Sequence, residues 1–237
     1  MRKGKLLLAI SLLFGLCSSS ALAAEKLEYE VKMLGTEFGS ATLYINGADT
    51  YGHLKTNEKW SSVHFINNRI ASRTWRDGFP RHTQIEYRVK DKHKKYAITF
   101  GRKQIRSSRT SNKGPNRRSS FKPKQRMHDV ISWLAKVRTM VVHGFNAPLS
   151  FKVFSGVRSY DVECTPLKVE TISTPLGMKV AKPYNITITR SKDYKRKFKV
   201  WFDTARGHTP LRLVGKFKLG NAEVLIKSIK RSATKAQ

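Results

Sequence analysis

The chain has 237 residues, with 47 Lys and Arg against 16 Asp and Glu, and so a formal charge of +31. That length admits one domain or at most two, and a hydrophobic fraction of 39% with 10% aromatics is enough to bury a core, which excludes a disordered polycation. The charge predicts attraction to polyanions such as nucleic acid, lipopolysaccharide, anionic lipid or acidic polysaccharide, and carries no information on fold.

Residues 1–23 read as a secretory signal peptide. Arg2, Lys3 and Lys5 make a basic start, residues 6–17 an apolar stretch, and Ala21-Leu22-Ala23 a small-x-small cleavage site. The apolar stretch is well short of the roughly 20 residues that cross a bilayer. Leu16 before Cys17 spoils the pattern for lipid attachment, so a soluble mature protein in the periplasm is expected, with its charge lowered to +28 by loss of those three cations. Of the two cysteines only Cys164 then remains, and a lone cysteine forms no internal disulfide in an oxidising compartment. It reads as a small buried apolar residue, with a reactive thiol as the other reading.

In the mature chain Leu27, Tyr29, Val31 and Met33 alternate with Glu28, Glu30 and Lys32, the period of a half-buried strand. Gly35 ends it. A second strand over 40–45 closes at the turn signal Asn46-Gly47. Shorter extended pieces follow at 63–66 and 69–75, then a hairpin with strands 84–89 and 96–100. Residues 101–126 break the pattern with ten Lys or Arg, no Asp or Glu, five Ser, two Pro, and only Ile105 and Phe121 as large apolar residues. This composition predicts an exposed, mobile loop.

Asp129 is then a good N-cap for an amphipathic helix about four turns long, in which Val130, Trp133, Leu134, Val137, Met140 and Val141 recur at helical spacing up to Gly144. Strands return over 150–154, 159–163, 168–173, 178–188, 197–203, 211–218 and 223–229. Gly156, Pro175-Leu176-Gly177, Gly207 and Gly220-Asn221 supply turns between them. The reading is mainly β, with ten or so strands in a single curved antiparallel sheet, a half-barrel over 24–237 closed by one amphipathic α-helix. A split at the basic loop is the alternative, disfavoured because neither half has a second layer to cover its apolar face.

With that order laid out, the chain resembles a bacterial envelope family, domain of unknown function 3108. The matching stretches are Leu27-Glu28-Tyr29-Glu30-Val31 into Gly39-Ser40-Ala41-Thr42-Leu43, the helix from Asp129 to Arg138, and Val200-Trp201-Phe202-Asp203 through Pro210-Leu211-Arg212 to Gly220. The resemblance implies a periplasmic protein with a fold similar to the lipoprotein carriers LolA and LolB, a curved sheet around an apolar concavity. It brings no catalytic residues. The strong basicity and the segment 101–126 depart from the family pattern.

No catalytic motif is found. The seven histidines lack His-x-x-x-His spacing and there is no Cys-x-x-Cys, so neither a metal site nor a cofactor is expected. Ser119-Ser120-Phe121-Lys122 fits Ser-x-x-Lys but lacks the packed helix and partner motifs of that chemistry. An enzyme is therefore not expected. Two binding readings remain. In the first, Trp133, Leu134, Val137 and Val141 line an apolar cavity that holds a lipid or acyl chain, the partners being anionic lipid, lipopolysaccharide or a lipoprotein. In the second, the basic residues Arg102, Lys103, Arg106, Arg109, Lys113, Arg117, Arg118, Lys122, Lys124 and Arg126 bind the phosphate or sulfate groups of lipopolysaccharide, nucleic acid or acidic polysaccharide. A lesser candidate is 194–202, where bases interleave with aromatics as in single-strand binders or, more simply, as in a strand with a lysine-rich outer face.

Overall fold

The computed structural model describes residues 24–191, 194–205, 208–217 and 220–232, so the expected signal peptide with Cys17 and the turn at Gly207 lie outside the described residues. Strand β1 (Glu25–Met33) shows why the chain forms sheet: Leu27, Tyr29, Val31 and Met33 are buried on one face while Lys26, Glu28, Glu30 and Lys32 lie on the other. The same alternation recurs through β2 (Thr36–Asn46), β3 (Asp49–Thr56), β4 (Ile66–Thr74), β5 (Pro80–Val89) and β6 (Lys92–Phe100). A short helix, α1 (Glu58–His64), joins β3 to β4, and the Asn57 side chain caps it by accepting the Trp60 N–H at 3.2 Å.

The basic segment is a correction to the sequence reading. It is not a loop but carries β7 (Ile105–Ser111) and β8 (Arg117–Phe121), a hairpin in which Arg109 pairs with Arg117 and Ile105 with Phe121. The ladder from β6 to β7 supplies the backbone hydrogen bonds, and only Ile105 and Ser107 need to be buried. A strand stabilised mainly by its backbone leaves little hydrophobic signature.

After the helix α2 (Ser132–Val142) come β9 (Leu149–Phe154), β10 (Ser159–Pro166), β11 (Glu170–Thr174), β12 (Gly177–Ser191), β13 (Tyr194–Asp203), β14 (Pro210–Phe217) and β15 (Gly220–Arg231). All the strands belong to one antiparallel sheet in the order β8-β7-β6-β5-β4-β3-β2-β1-β15-β14-β13-β12-β10-β9, with β11 alongside β12. The first and last strands are thus neighbours at its middle, and the middle of the chain forms both edges.

The sheet curls but does not close. Its ends, β8 and β9, meet through a seam of other contacts. The His128 N–H donates to the Lys152 carbonyl at 2.7 Å and the Phe154 N–H to the His128 carbonyl at 2.8 Å, a single parallel bridge. The Phe121 and Phe154 rings meet edge to face at 5.0 Å, and the Ser107 hydroxyl donates to the Gly156 carbonyl at 2.6 Å.

Helix α2 fills the concave side. It starts at Ser132, later than expected, because Asp129 Oδ1 accepts the N–H groups of both Ile131 and Ser132 and holds residues 129–131 in a turn. Asp129 Oδ2 is meanwhile held by the hydroxyls of Ser72, at 2.5 Å, and Thr83, which anchors the helix start to β4 and β5. Further along, Arg138 reaches Glu25 on β1. Cys164 is fully buried on β10, and burial pushes its thiol up, away from the thiolate.

Candidate functional site

The four residues expected to line an apolar cavity do sit together on α2, but as core. Trp133 is 1% exposed, Leu134 3%, Val137 0% and Val141 9%, and all four belong to the same cluster as the inward side chains of the sheet. Phe151 of β9 lies 6.4 Å from the Trp133 ring. The better-formed cavities among the described residues are small. One of about 20 Å³ lies by Phe79, Phe100 and Met127, and one of about 130 Å³ lies on the outer face between Lys32, Arg212 and Val214. Both fall below the roughly 300 Å³ of an ordinary ligand pocket.

The ten basic residues of 101–126 are not gathered into one site. Arg102 and Lys103 lie in the turn between β6 and β7, Arg106 and Arg109 on β7, Lys113 in the hairpin turn, Arg117 and Arg118 on β8, and Lys122, Lys124 and Arg126 in the segment leading to the seam. The pairing of Arg106 with Ser120 and of Ser108 with Arg118 puts Arg106 and Arg118 on one face, and Arg109 opposite Arg117 on the other. Two of the ten have structural duties. Arg126 pairs with Asp77 at 2.5 Å and lies 3.8 Å above the Phe79 ring, and Lys113 pairs with Asp91. The other eight have no carboxylate partner among the described residues. Of these, Arg102, Lys103, Arg106, Arg117, Arg118, Lys122 and Lys124 are solvent-exposed. Sequence reasoning missed that the acids answering Arg126 and Lys113 lie in other turns.

The stretch 194–202 is β13, with Lys195, Lys197 and Lys199 outward and Tyr194, Phe198, Val200 and Phe202 inward. Its outward aromatic, Trp201, is covered. Lys199 lies 4.5 Å and Arg212 5.1 Å from its ring, and its indole N–H donates to Glu170 at 2.5 Å. Side-chain hydrogen bonds from Lys199 and Trp201 hold the Glu170 carboxyl below its ordinary range. The ring is therefore occupied and offers no stacking platform to a base.

No group of three or more His, Cys, Asp or Glu among the described residues is placed to hold a metal ion. No helix of the described residues is long and apolar enough to cross a membrane.

Residues 28–227 match a family described as protein of unknown function, DUF3108. The beta-barrel-like protein of domain of unknown function DUF1849 from Brucella abortus superposes with a TM-score of 0.64 at 9% identity, over 91% of this chain and 100% of that one. The hypothetical lipoprotein YmcC from Escherichia coli (K12) aligns at a TM-score of 0.34 and 9% identity, over 92% of each chain. The first likeness shows the fold, a barrel-like sheet consistent with the architecture of LolA and LolB. No curated protein matches the chain.

Proposed function

The chain belongs to the DUF3108 family, and from that premise we propose that it is an exported, periplasmic protein of the bacterial envelope, not an enzyme, that binds an anionic polymer or lipopolysaccharide through its basic surface. One observation carries this choice over an apolar-chain carrier: the concave side of the sheet is occupied by Trp133, Leu134, Val137 and Val141, while the basic hairpin stands exposed. A carrier of this fold needs room for an acyl chain, and here α2 would have to give up the buried anchorages of Asp129 to Ser72 and Thr83 and of Arg138 to Glu25 to provide it.

Counterion release makes such binding strongly salt-dependent. The test is titration of the purified protein with lipopolysaccharide from low to high salt, beside a variant carrying Arg102→Ser, Lys103→Ser, Lys122→Ser and Lys124→Ser. The expected result is an affinity that falls steeply with salt, with a flatter slope in the variant. An unchanged slope removes these cations on either side of the hairpin as the site. Lipid or acylated peptide co-purifying in native mass spectrometry would favour the carrier instead.

A further inference from the structure

The seam gathers a second group of cations, separate from the outward residues of the hairpin. On β6, Tyr96 and Ile98 are buried on the inner face, and Lys94 shares that face two residues before them. Arg109 of β7 stands opposite Tyr96 in the ladder. From the other end of the sheet the turn between β9 and β10 packs onto the same strand. A Cβ added at Gly156 would lie 3.1 Å from Tyr96 and 3.2 Å from Ile98, and Ser107 holds the Gly156 carbonyl. That turn carries Arg158, and β10 continues into Tyr160, whose ring lies 5.9 Å from Tyr194 of β13. Arg196 lies 5.2 Å from the Tyr194 ring.

The electrostatics follow from the same convergence. Burial raises the phenols of Tyr96, Tyr160 and Tyr194, and the Arg158 charge acts against that rise at all three. Burial and then the Arg109 charge push the Lys94 ammonium down, as expected where like charges crowd. None of Lys94, Arg109, Arg158 and Arg196 forms an ion pair with a carboxylate among the described residues. Arg109 spends one N–H on the Pro115 carbonyl at 2.7 Å, and its Nε is buried with no hydrogen-bond partner. Buried charged donors without an acceptor are costly, and an anion is the group that satisfies them.

We propose that Lys94, Arg109, Arg158 and Arg196, rimming a floor of Tyr96, Tyr160 and Tyr194, form a binding site for a phosphate group, built across the seam from both ends of the sheet. Guanidinium forks match phosphate oxygens in pairs, and cations from β6, β7, β13 and the turn after β9 surround a compact dianion better than a carboxylate. The tyrosine rings then face the uncharged part of the ligand. Bound phosphate would link the two ends that the backbone leaves unpaired. Only Arg109 is shared with the surface reading, and none of the four positions changed in the salt titration belongs here, so either experiment can fail alone.

The test is calorimetric titration with inorganic phosphate and, in parallel, binding to phosphatidylcholine vesicles with and without phosphatidic acid. Saturable binding is expected, weakened about tenfold or more by Arg158→Gln and by Lys94→Gln and unchanged by Lys227→Gln on the outer face of β15. Hydrogen exchange should slow at 155–158 when phosphate is bound. Binding of free phosphate identifies a soluble ligand, and binding only to vesicles with phosphatidic acid identifies a lipid headgroup. Equal binding to both kinds of vesicle, no binding in any arm, or affinity unaffected in both folded variants overturns the proposal.

Discussion

Arg138, in the middle of α2, donates to Glu25 at the first position of β1 over 2.9 Å, and both side chains are buried. Glu25 also accepts from Arg231 of β15 at 3.0 Å, so one carboxylate ties the helix to the two central strands of the sheet. Glu25→Gln leaves the buried Arg138 without its carboxylate, and a loss of about 3 to 5 kcal/mol in urea unfolding is expected. Glu25→Gln combined with Arg138→Met should cost clearly less than the sum of the single changes. Full additivity would show that the pair does not couple helix to sheet.

His128 makes stability depend on pH. Its ring stacks on Phe79 at 4.5 Å, and burial pushes the imidazole down to about 4. The folded state thus keeps His128 neutral where the unfolded chain protonates it near pH 6.5, so the unfolded state binds the extra proton between those values. This contribution is whole above about pH 6.5 and is lost as pH falls toward 4, about 3 kcal/mol in all. In His128→Phe that part of the acid dependence should vanish from denaturation midpoints compared at pH 7 and pH 4.5. A profile identical to wild type would contradict it.

How much of this was legible beforehand depends on where the stabilising contacts lie. Strands such as β1 and β10 bury every second side chain, so their period is written in the residues. Strand β3 turns Thr50, Gly52 and Leu54 inward, a face with one large apolar residue, and it went unseen. Helix α1 has no fully buried residue and packs Trp60 against the core, and its clearest local sign is Asn57. The core role of Trp133 was legible as an apolar stripe, but whether that stripe lined a cavity or filled one depended on how tightly the sheet curls. The seam had no local signal, since Ser107 and Gly156 meet across 49 positions.

Gly156 has φ +86°, a conformation that side-chain-bearing residues rarely adopt, and its neighbours Tyr96 and Ile98 are already close. Gly156→Ala should destabilise the protein by about 2 kcal/mol. Exchange should rise first at Ser155–Arg158 and along β9, before β1 or β15. Uniform loss of protection would mean that the seam opens only with the whole fold.

Trp133 tests how the interior is filled. Trp133→Ala should cost about 3 to 5 kcal/mol by leaving a cavity. Trp133→Phe should cost much less, because the indole Nε1 it removes is buried without a hydrogen-bond partner. Calorimetric melting of both variants checks the order. If Trp133→Ala proves as stable as wild type, the packing around α2 is loose, and room for an apolar chain becomes credible.

Among the described residues, strand β8 ends the sheet with no strand paired to its outer side. An open edge of this kind is a template onto which a second copy can zip, and proteins blunt such edges with charge. Arg117 and Arg118 stand on that strand, so two molecules approaching edge to edge bring arginine against arginine. Part of the chain's large positive charge is thus placed where it opposes pairing between copies along this edge.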